Sequence, residues 1–145
     1  MPLRFSLDSV LRLRRSEQRQ QELLLQKAND QVHRVLRELE VIAREVLQIV
    51  ADGKSAGGIT GAEIQFDQLR RQVLETRQAQ AGQGLQQARE EQTMAASDFK
   101  RAWQRREALE TLRELERQFY LLAESRETQR WQDDLFLLQK RKQKR

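Results

Sequence analysis

The feature that most constrains the fold is a run of apolar residues spaced alternately three and four apart. Between positions 25 and 49 this spacing continues without a break. Residues at such intervals share one side of an α-helix and occupy the a and d positions of a coiled coil. They are Leu25, Ala28, Val32, Val35, Leu39, Ile42, Val46 and Ile49. The pattern predicts a long helix whose apolar stripe packs against a second helix.

The composition favours the same structure. The only proline is Pro2, so nothing after it forbids a helix on steric or hydrogen-bonding grounds. A content of 38% hydrophobic and 34% charged residues is lean for a globular core. Followed towards the N-terminus, the same spacing meets Gln21, Gln18, Arg14, Leu11 and Leu7. We therefore expect a first helix over about residues 6–51 with a partly polar stripe in its early part.

A glycine-rich segment follows this helix. Four of the six glycines fall within residues 51–64, "ADGKSAGGITGAEI". Glycine tolerates the backbone conformations that end helices and reverse the chain, so a turn is predicted over about residues 52–60. Thr60 and Glu63 have the spacing of a capping box, and Ile59 with Ile64 fits a hydrophobic staple. The chain is predicted to form one all-α domain over 1–145, a long two-helix antiparallel coiled-coil hairpin.

The second helix is predicted over about residues 61–139, followed by a basic tail at 140–145. It carries Phe66, Leu69 and Val73 near the turn. It then continues with three-four spacing through Leu85, Ala88, Gln92, Ala95, Phe99, Ala102, Arg106 and Leu109. Gly82 and Gly84 lie where the phase slips, which indicates a bend. The preferred alternative is that Ala79, Ala81, Gly82 and Gly84 let the two backbones approach closely. In the first helix, Leu36, Ala43, Leu47 and Val50 broaden the apolar face near the glycine-rich segment, more than a two-helix contact alone requires.

The second helix is too long for the first. With a turn centred near residue 56, residue 7 lies opposite about residue 105, and the rest of the chain has no intramolecular partner. This C-terminal helical overhang contains Leu109, Leu112, Leu115, Phe119, Tyr120, Leu121, Leu122, Trp131, Leu135, Phe136, Leu137 and Leu138. An apolar helix of this kind more often binds a protein than a membrane, and the competing interpretation is self-association.

Several function classes are disfavoured by the residues present. No cysteine is available for disulfides or thiolate chemistry, and no apolar run has the length of a membrane span. His33 is single, Asp133 and Asp134 lack further ligands at metal-binding spacing, and no phosphate-binding glycine motif occurs. We expect a soluble cytoplasmic protein that is not an enzyme, with no catalytic residues, cofactor or metal.

The formal net charge of +5 comes from 27 basic and 22 acidic residues that are interspersed along the chain. The basic residues are concentrated at two places, in "QKRKQKR" at the C-terminus and at Arg4, Arg12, Arg14 and Arg15. An antiparallel hairpin brings both groups towards its open end. The cluster is typical of a solvated tail, and the sharper alternative is an acidic surface on a partner.

Two stretches resemble a known family. The opening "RFSLDSVLRLRRSEQRQQELLLQKA" is similar to the start of FliJ-type proteins, with an aromatic residue, Leu and Val, then an arginine-rich helix. The later "EALETLRELERQFYLLAESRETQRWQDDL" resembles the family's Leu-Glu-x-Leu core followed by an aromatic and an acidic helix. The resemblance extends over nearly the whole chain, including the glycine-rich reversal.

The resemblance implies a soluble component of the flagellar type III protein export apparatus, and hence a role in flagellum biogenesis and motility. Family members are helical hairpins similar to the central stalk of rotary ATP synthases. They bind the hexameric flagellar export ATPase, promote its ring assembly and engage the cytoplasmic domain of the export gate, and some escort export chaperones. The implied location is the cytoplasm, peripherally at the flagellar basal body on the inner membrane, without membrane insertion.

The resemblance also implies two sets of partner-binding residues. The gate side corresponds to the broad apolar face near the turn: Leu39, Ile42, Val46, Phe66, Leu69 and Val73. The ATPase side corresponds to the basic end with the overhang: Arg12, Arg14, Arg15, Leu112, Phe119, Trp131, Lys140, Arg141 and Lys142. On the gate side the chain departs from the family, because aliphatic residues replace the aromatic ones expected there.

Two other functions remain open at this point. The first is the equivalent stalk protein of a virulence type III secretion system, which shares the architecture and differs in its partners. The second is a basic coiled-coil protein that binds nucleic acid. Nucleic acid is not the expected partner, because the aromatic residues fall near the apolar face, whereas stacking on bases requires them to be free.

Overall fold

A computed structural model describes residues 5–55 and 61–144 of the chain. It contains helix α1, Asp8–Ser55, and helix α2, Gly61–Gln143. No β-strand occurs in these two ranges. Within them the fold is the expected helical hairpin, because Asn29 pairs with Gln92 while the later Glu45 pairs with the earlier Arg77. The two helices therefore run antiparallel.

The bounds of α1 differ from the expected ones at both ends. It begins at Asp8, whose backbone N–H donates to the carbonyl of Phe5 over 3.1 Å. A carboxylate in the first turn interacts favourably with the helix dipole. At the other end α1 continues past Ala51 to Ser55, so Gly53 lies inside the helix and not in the turn. Glycine weakens a helix interior by about 1 kcal/mol relative to alanine but does not forbid it.

The end of α2 also lies beyond the expected one. The helix continues to Gln143, and Lys140, Arg141 and Lys142 form its last turn instead of a separate tail. Positive side chains are favourable at this end because the unpaired carbonyl groups carry partial negative charge. The capping and staple residues Thr60 and Ile59 fall outside the described residues.

The chain divides into two compact units, the larger of which comprises residues 19–100. Its core is formed by Ile42, Ile49, Leu74 and Ala81, with Leu39 packed against them. Val32, Val35 and Ala88 are also buried. These residues lie at the contact between the two helices, which is called the seam below. All of them except Leu74 and Ala81 were predicted at seam positions. Val46 is the exception on α1, because it is 38% exposed.

Polar pairs interrupt this apolar seam. Gln92 donates from Nε2 to Oδ1 of Asn29 over 2.7 Å, and both residues are half-buried. Nearer the turn, Arg77 Nη1 lies 3.3 Å from Oε2 of Glu45. A hydrogen bond across a seam contributes little net stability, but either group would be left unsatisfied if its partner moved. These pairs therefore fix which residues of α1 and α2 face each other.

The second unit comprises residues 1–18 and 101–145, of which the structure describes 5–18 and 101–144. Leu11, Phe5 and Ala102 are buried in it. The side chain of Arg113 lies 3.9 Å from Asp8 at the start of α1. The expected position opposite the start of α1 was near residue 105, so the paired part of α2 extends further than predicted. In agreement with this difference, α1 ends at Ser55, beyond its expected end at residue 51.

The glycines of α2 do not bring the two backbones together. A Cβ atom added to Gly82 or Gly84 would meet nothing within 4 Å beyond the adjoining helix backbone. The expected close approach is therefore wrong for the two glycines, and of the four small residues only Ala81 is buried in the core. The helix is uninterrupted at both positions, and neither glycine has a positive φ.

Candidate partner-binding surfaces

The most exposed part of α2 is residues 118–143, called the arm below. Every residue of the arm is exposed except Tyr120, which is half-buried. The last ion pair between α1 and α2 in the described chain is that of Asp8 with Arg113, before the arm begins. The arm is thus a helix with large apolar side chains and little intramolecular cover.

Two apolar stripes lie on this part of α2, the first of which begins just before the arm. The first has three-four spacing and consists of Leu112, Leu115, Phe119 and Leu122, which are 45–70% exposed. The second consists of Trp131, Leu135 and Leu138, which are 40–64% exposed. Phe119 and Trp131 are 12 residues apart, so at about 100° per residue their directions differ by about 120°. One flat surface cannot cover both stripes.

The second stripe widens into a collar formed by Leu135, Phe136, Leu137 and Leu138. All four are at least 40% exposed. Four consecutive residues point in all directions around a helix, since they complete slightly more than one turn. A helix that is apolar on every side is normally enclosed by other protein or by lipid.

The predicted basic residues are in two different situations. Lys140, Arg141 and Lys142 are exposed, and the described part of the chain gives none of them an ion pair. Arg12 is exposed as well. By contrast, Arg14 is half-buried and pairs with Glu17 at 3.0 Å, and Arg15 pairs with Glu110 at 2.8 Å. Arg14 and Arg15 are therefore engaged within the protein.

Arg15 belongs to a polar cluster that joins the two helices. Arg106 contacts the same carboxylate of Glu110 at 3.2 Å and donates to Oε1 of Gln18. The hydrogen bond from Arg15, with the charges of Arg15 and Arg106, holds the pKa of Glu110 below its usual value. The sequence pattern placed Gln18 and Arg106 at seam positions but gave no role to Glu110. A search for carboxylates one residue after a seam position would have found it.

The six residues expected on the gate side do not form one surface. Ile42 is 1% exposed and lies in the core with Leu39 packed against it. Phe66, Leu69 and Val73 are exposed, at 65%, 62% and 58%. The α2 residue that packs into the seam here is Leu74, one position after Val73. The exposed three share a stripe by their three-four spacing, and this is the part of the predicted face that a partner can reach.

Other kinds of site have little support in the described residues. No group of three or more His, Asp or Glu side chains within 5–55 and 61–144 is arranged to hold a metal ion. His33 is exposed, as expected. No helix in these ranges is long and apolar enough to cross a membrane.

Comparison with known proteins gives one match. The family model described as "Flagellar FliJ protein" matches residues 3–145. No curated protein and no solved structure shows significant similarity to the chain.

Proposed function

Since the chain belongs to the FliJ family of flagellar proteins and is a component of the flagellar export apparatus, we propose that it is a stalk-like coiled coil that binds the export ATPase. In this role it promotes the assembly of the ATPase ring and links the ring to the export gate. It also meets export chaperones. The observation that carries the ATPase contact is the arm, whose large apolar side chains other than Tyr120 are 40–70% exposed.

The arm has the chemistry of a protein-binding helix. Phe119 and Trp131 are 70% and 64% exposed. Exposing such large apolar side chains is unfavourable by roughly 25 cal/mol for each Å² that a partner could cover. Aromatic residues of this kind are also the commonest anchors of protein interfaces. Covering the arm therefore provides the main free energy of ATPase binding.

The collar favours a partner that encloses the helix. A flat surface would leave one or two residues of Leu135–Leu138 in water, whereas the opening of a hexameric ring approaches a helix from all sides. The unpaired Lys140, Arg141 and Lys142 follow directly, so the enclosing partner is expected to carry acidic residues beside its apolar ones. Arg12 supplements this basic surface, while Arg14 and Arg15 support the hairpin.

The gate contact is assigned to the stripe of Phe66, Leu69 and Val73. These side chains are exposed, and none of them belongs to the core cluster of the larger unit. On α1, Val46 and Leu39 are partly exposed, whereas Ile42 is buried and stabilises the hairpin. This stripe supplies the aromatic residue, Phe66, that the aliphatic α1 lacks.

The ATPase proposal is tested by titrating the protein into the cognate flagellar export ATPase and measuring both binding and ATP hydrolysis. The wild type is expected to bind and to stimulate hydrolysis. Phe119→Ala with Trp131→Ala should weaken binding at least about tenfold, because losing even one anchor residue worth about 2 kcal/mol exceeds the roughly 1.4 kcal/mol of a tenfold change. Leu13→Ala with Leu23→Ala is the matched control, since these residues are 55% and 59% exposed but lie on α1.

Unchanged ATPase binding by the arm variant, with circular dichroism showing intact helices, would contradict the proposal. A salt series separates it from nucleic-acid binding. Apolar docking should persist when salt is raised, whereas binding to DNA falls with a slope of about 0.9 in log K per phosphate neutralised. Tight, salt-sensitive binding to DNA without ATPase binding would favour the nucleic-acid function instead.

The gate contact needs a separate test. Phe66→Ala with Leu69→Ala should weaken binding to the cytoplasmic domain of the export gate and leave ATPase stimulation unchanged. A variant that loses both activities would indicate a general folding defect, which circular dichroism detects. Retention of gate binding would exclude this stripe as the contact.

A further inference from the structure

The larger unit has a second exposed apolar stripe, on α1, that is distinct from the arm and from the Phe66 stripe. It consists of Leu36, Ala43, Leu47 and Val50. Leu39, which packs against the core, lies at the edge of this stripe. Leu47 is 69% exposed, and Leu36 and Val50 are about 40% exposed. All lie within about 40° of one direction on the helix, at 100° per residue. Burying the two-helix seam leaves this stripe in solvent.

The spacing of apolar residues in the stripe is almost the same in both chain directions from its centre. Taking Ala43 as the centre, apolar residues occur seven positions away on each side, at Leu36 and Val50, and four positions away, at Leu39 and Leu47. In a two-fold symmetric contact, residue i faces j and residue j faces i. Two copies of α1 crossing antiparallel at Ala43 would therefore place Leu36 against Val50 and Leu39 against Leu47. The small side chain falls at the centre, where the backbones are closest.

The adjoining surface of α2 leaves room for such a contact. Arg77 pairs with Glu45, so in the antiparallel hairpin Ala79 lies beside Ala43. Ala43 directly follows the buried Ile42, and Gly82 directly follows the buried Ala81. In an antiparallel helix pair, residues that directly follow seam residues lie on the same side of the pair. Ala43 and Gly82 therefore face the same side of the hairpin. Ala79 and Gly82 are both exposed, and space remains open around Gly82. Neither Ala79 nor Gly82 carries a bulky side chain that would block a second copy.

The charged residues beside the stripe are also complementary to the same residues of a second copy. Glu40 and Arg44 flank Ala43 and form an exposed ion pair within the helix at 2.8 Å. In the antiparallel arrangement Glu40 of one chain lies opposite Val46 of the other, two residues from its Arg44. Each carboxylate would then be shared between its own Arg44 and that of the second copy.

We propose that this stripe is a two-fold symmetric interface through which two copies of the chain associate. A different partner would place no requirement on the order of apolar residues about Ala43, whereas a second copy requires the symmetric spacing that is present. The surface is separate from the arm and from the Phe66 stripe, so association and partner binding can be tested independently.

The absence of cysteine in the chain allows a direct test. Ala43→Cys in the full-length protein should form a disulfide with a second copy under mild oxidation. Leu36→Cys and Val50→Cys should cross-link with each other when mixed and much less with themselves. Val41→Cys is the matched control, because Val41 is 45% exposed on the opposite side of α1 and should not cross-link.

Sedimentation equilibrium gives the independent measurement. The wild type should show a dimer whose population rises with concentration, and Leu47→Glu should raise the dissociation constant at least about tenfold. Val41→Glu should leave it unchanged, and both variants should retain the wild-type circular dichroism. A wild type that is monomeric at all concentrations overturns the proposal, as does Leu36→Cys pairing with itself, which would indicate a parallel arrangement. Equal effects of the two glutamate variants would also overturn it.

Discussion

The seam of the larger unit and the arm are built from similar residues but have different surroundings. In the seam, Ile42 and Ile49 are almost completely buried between the helices. In the arm, Trp131 and Phe136 are each 64% exposed on the same kind of helix. The apolar residues of the seam pack against the other helix of the same chain, whereas those of the arm remain exposed.

This difference shows that an apolar stripe specifies the need for a partner but not its identity. The seam keeps one direction over many turns, which suits a single facing helix. In the arm, the apolar stripe points in a different direction at Trp131 than at Phe119. At Leu135–Leu138 the helix is apolar on all sides. A change of phase is therefore the feature that distinguishes a surface for another molecule from a surface for the second helix.

The largest expected effect is in the seam. Ile42→Ala should destabilise the hairpin by about 2–5 kcal/mol, because it removes buried methyl groups and leaves a cavity. Val73→Ala, at a 58% exposed position nearby, should change stability by less than about 0.5 kcal/mol. Urea unfolding followed by circular dichroism measures both. Equal losses would mean that Val73 is also a core residue.

Stabilisation is expected at the glycines of α2. Gly82→Ala should raise the free energy of unfolding by about 0.5–1 kcal/mol, because alanine is the better helix former and its Cβ meets open space. Gly84→Ala should act in the same direction. A decrease in melting temperature for either variant would show that these positions are needed for close packing after all.

The arm should contribute almost nothing to the stability of the isolated protein. Trp131→Ala and Leu137→Ala are each expected to change the free energy of unfolding by less than about 0.5 kcal/mol. The same urea experiment provides the measurement. A loss near that of Ile42→Ala would show that the arm is covered within the protein, and the contrast between the two regions would disappear.

The smallest effect concerns pH. The pKa of Glu110 is lowered in the folded state, so its ion pairs stabilise the protein above the usual carboxyl pKa. This contribution is lost as the pH falls through the lowered value. Because the pair is partly exposed, the change should be below about 1 kcal/mol. Arg15→Gln should raise the Glu110 pKa in an NMR titration, and an unchanged value would exclude Arg15 as its cause.

Much of the hairpin was predictable because its seam repeats. All eight α2 positions expected between Leu85 and Leu109 are buried or half-buried. The exposure of the arm also followed from the sequence, since the second predicted helix is much longer than the first and its excess length has no partner helix. Both predictions depend on helix geometry and chain length, which need no knowledge of individual contacts.

The region near the turn was less predictable. Phe66, Leu69 and Val73 have the spacing of a seam, and Leu74 and Ala81 offer a competing one. The structure uses the second, which leaves the aromatic residue outside. Local periodicity cannot choose between two apolar phases, because the choice depends on what the facing helix offers. Here the facing residues are Ile42 and Ile49.

The hydrogen bond between Gln92 and Asn29 has a consequence for motion. Aliphatic side chains along the larger unit could exchange neighbours if α1 slid along α2 by one turn, about 5.4 Å. The amide pair could not, because each group would then face an apolar residue with its polar atoms unpaired. Sliding by one turn is therefore disfavoured, and a pull applied to one helix would be transmitted to the other with little slippage.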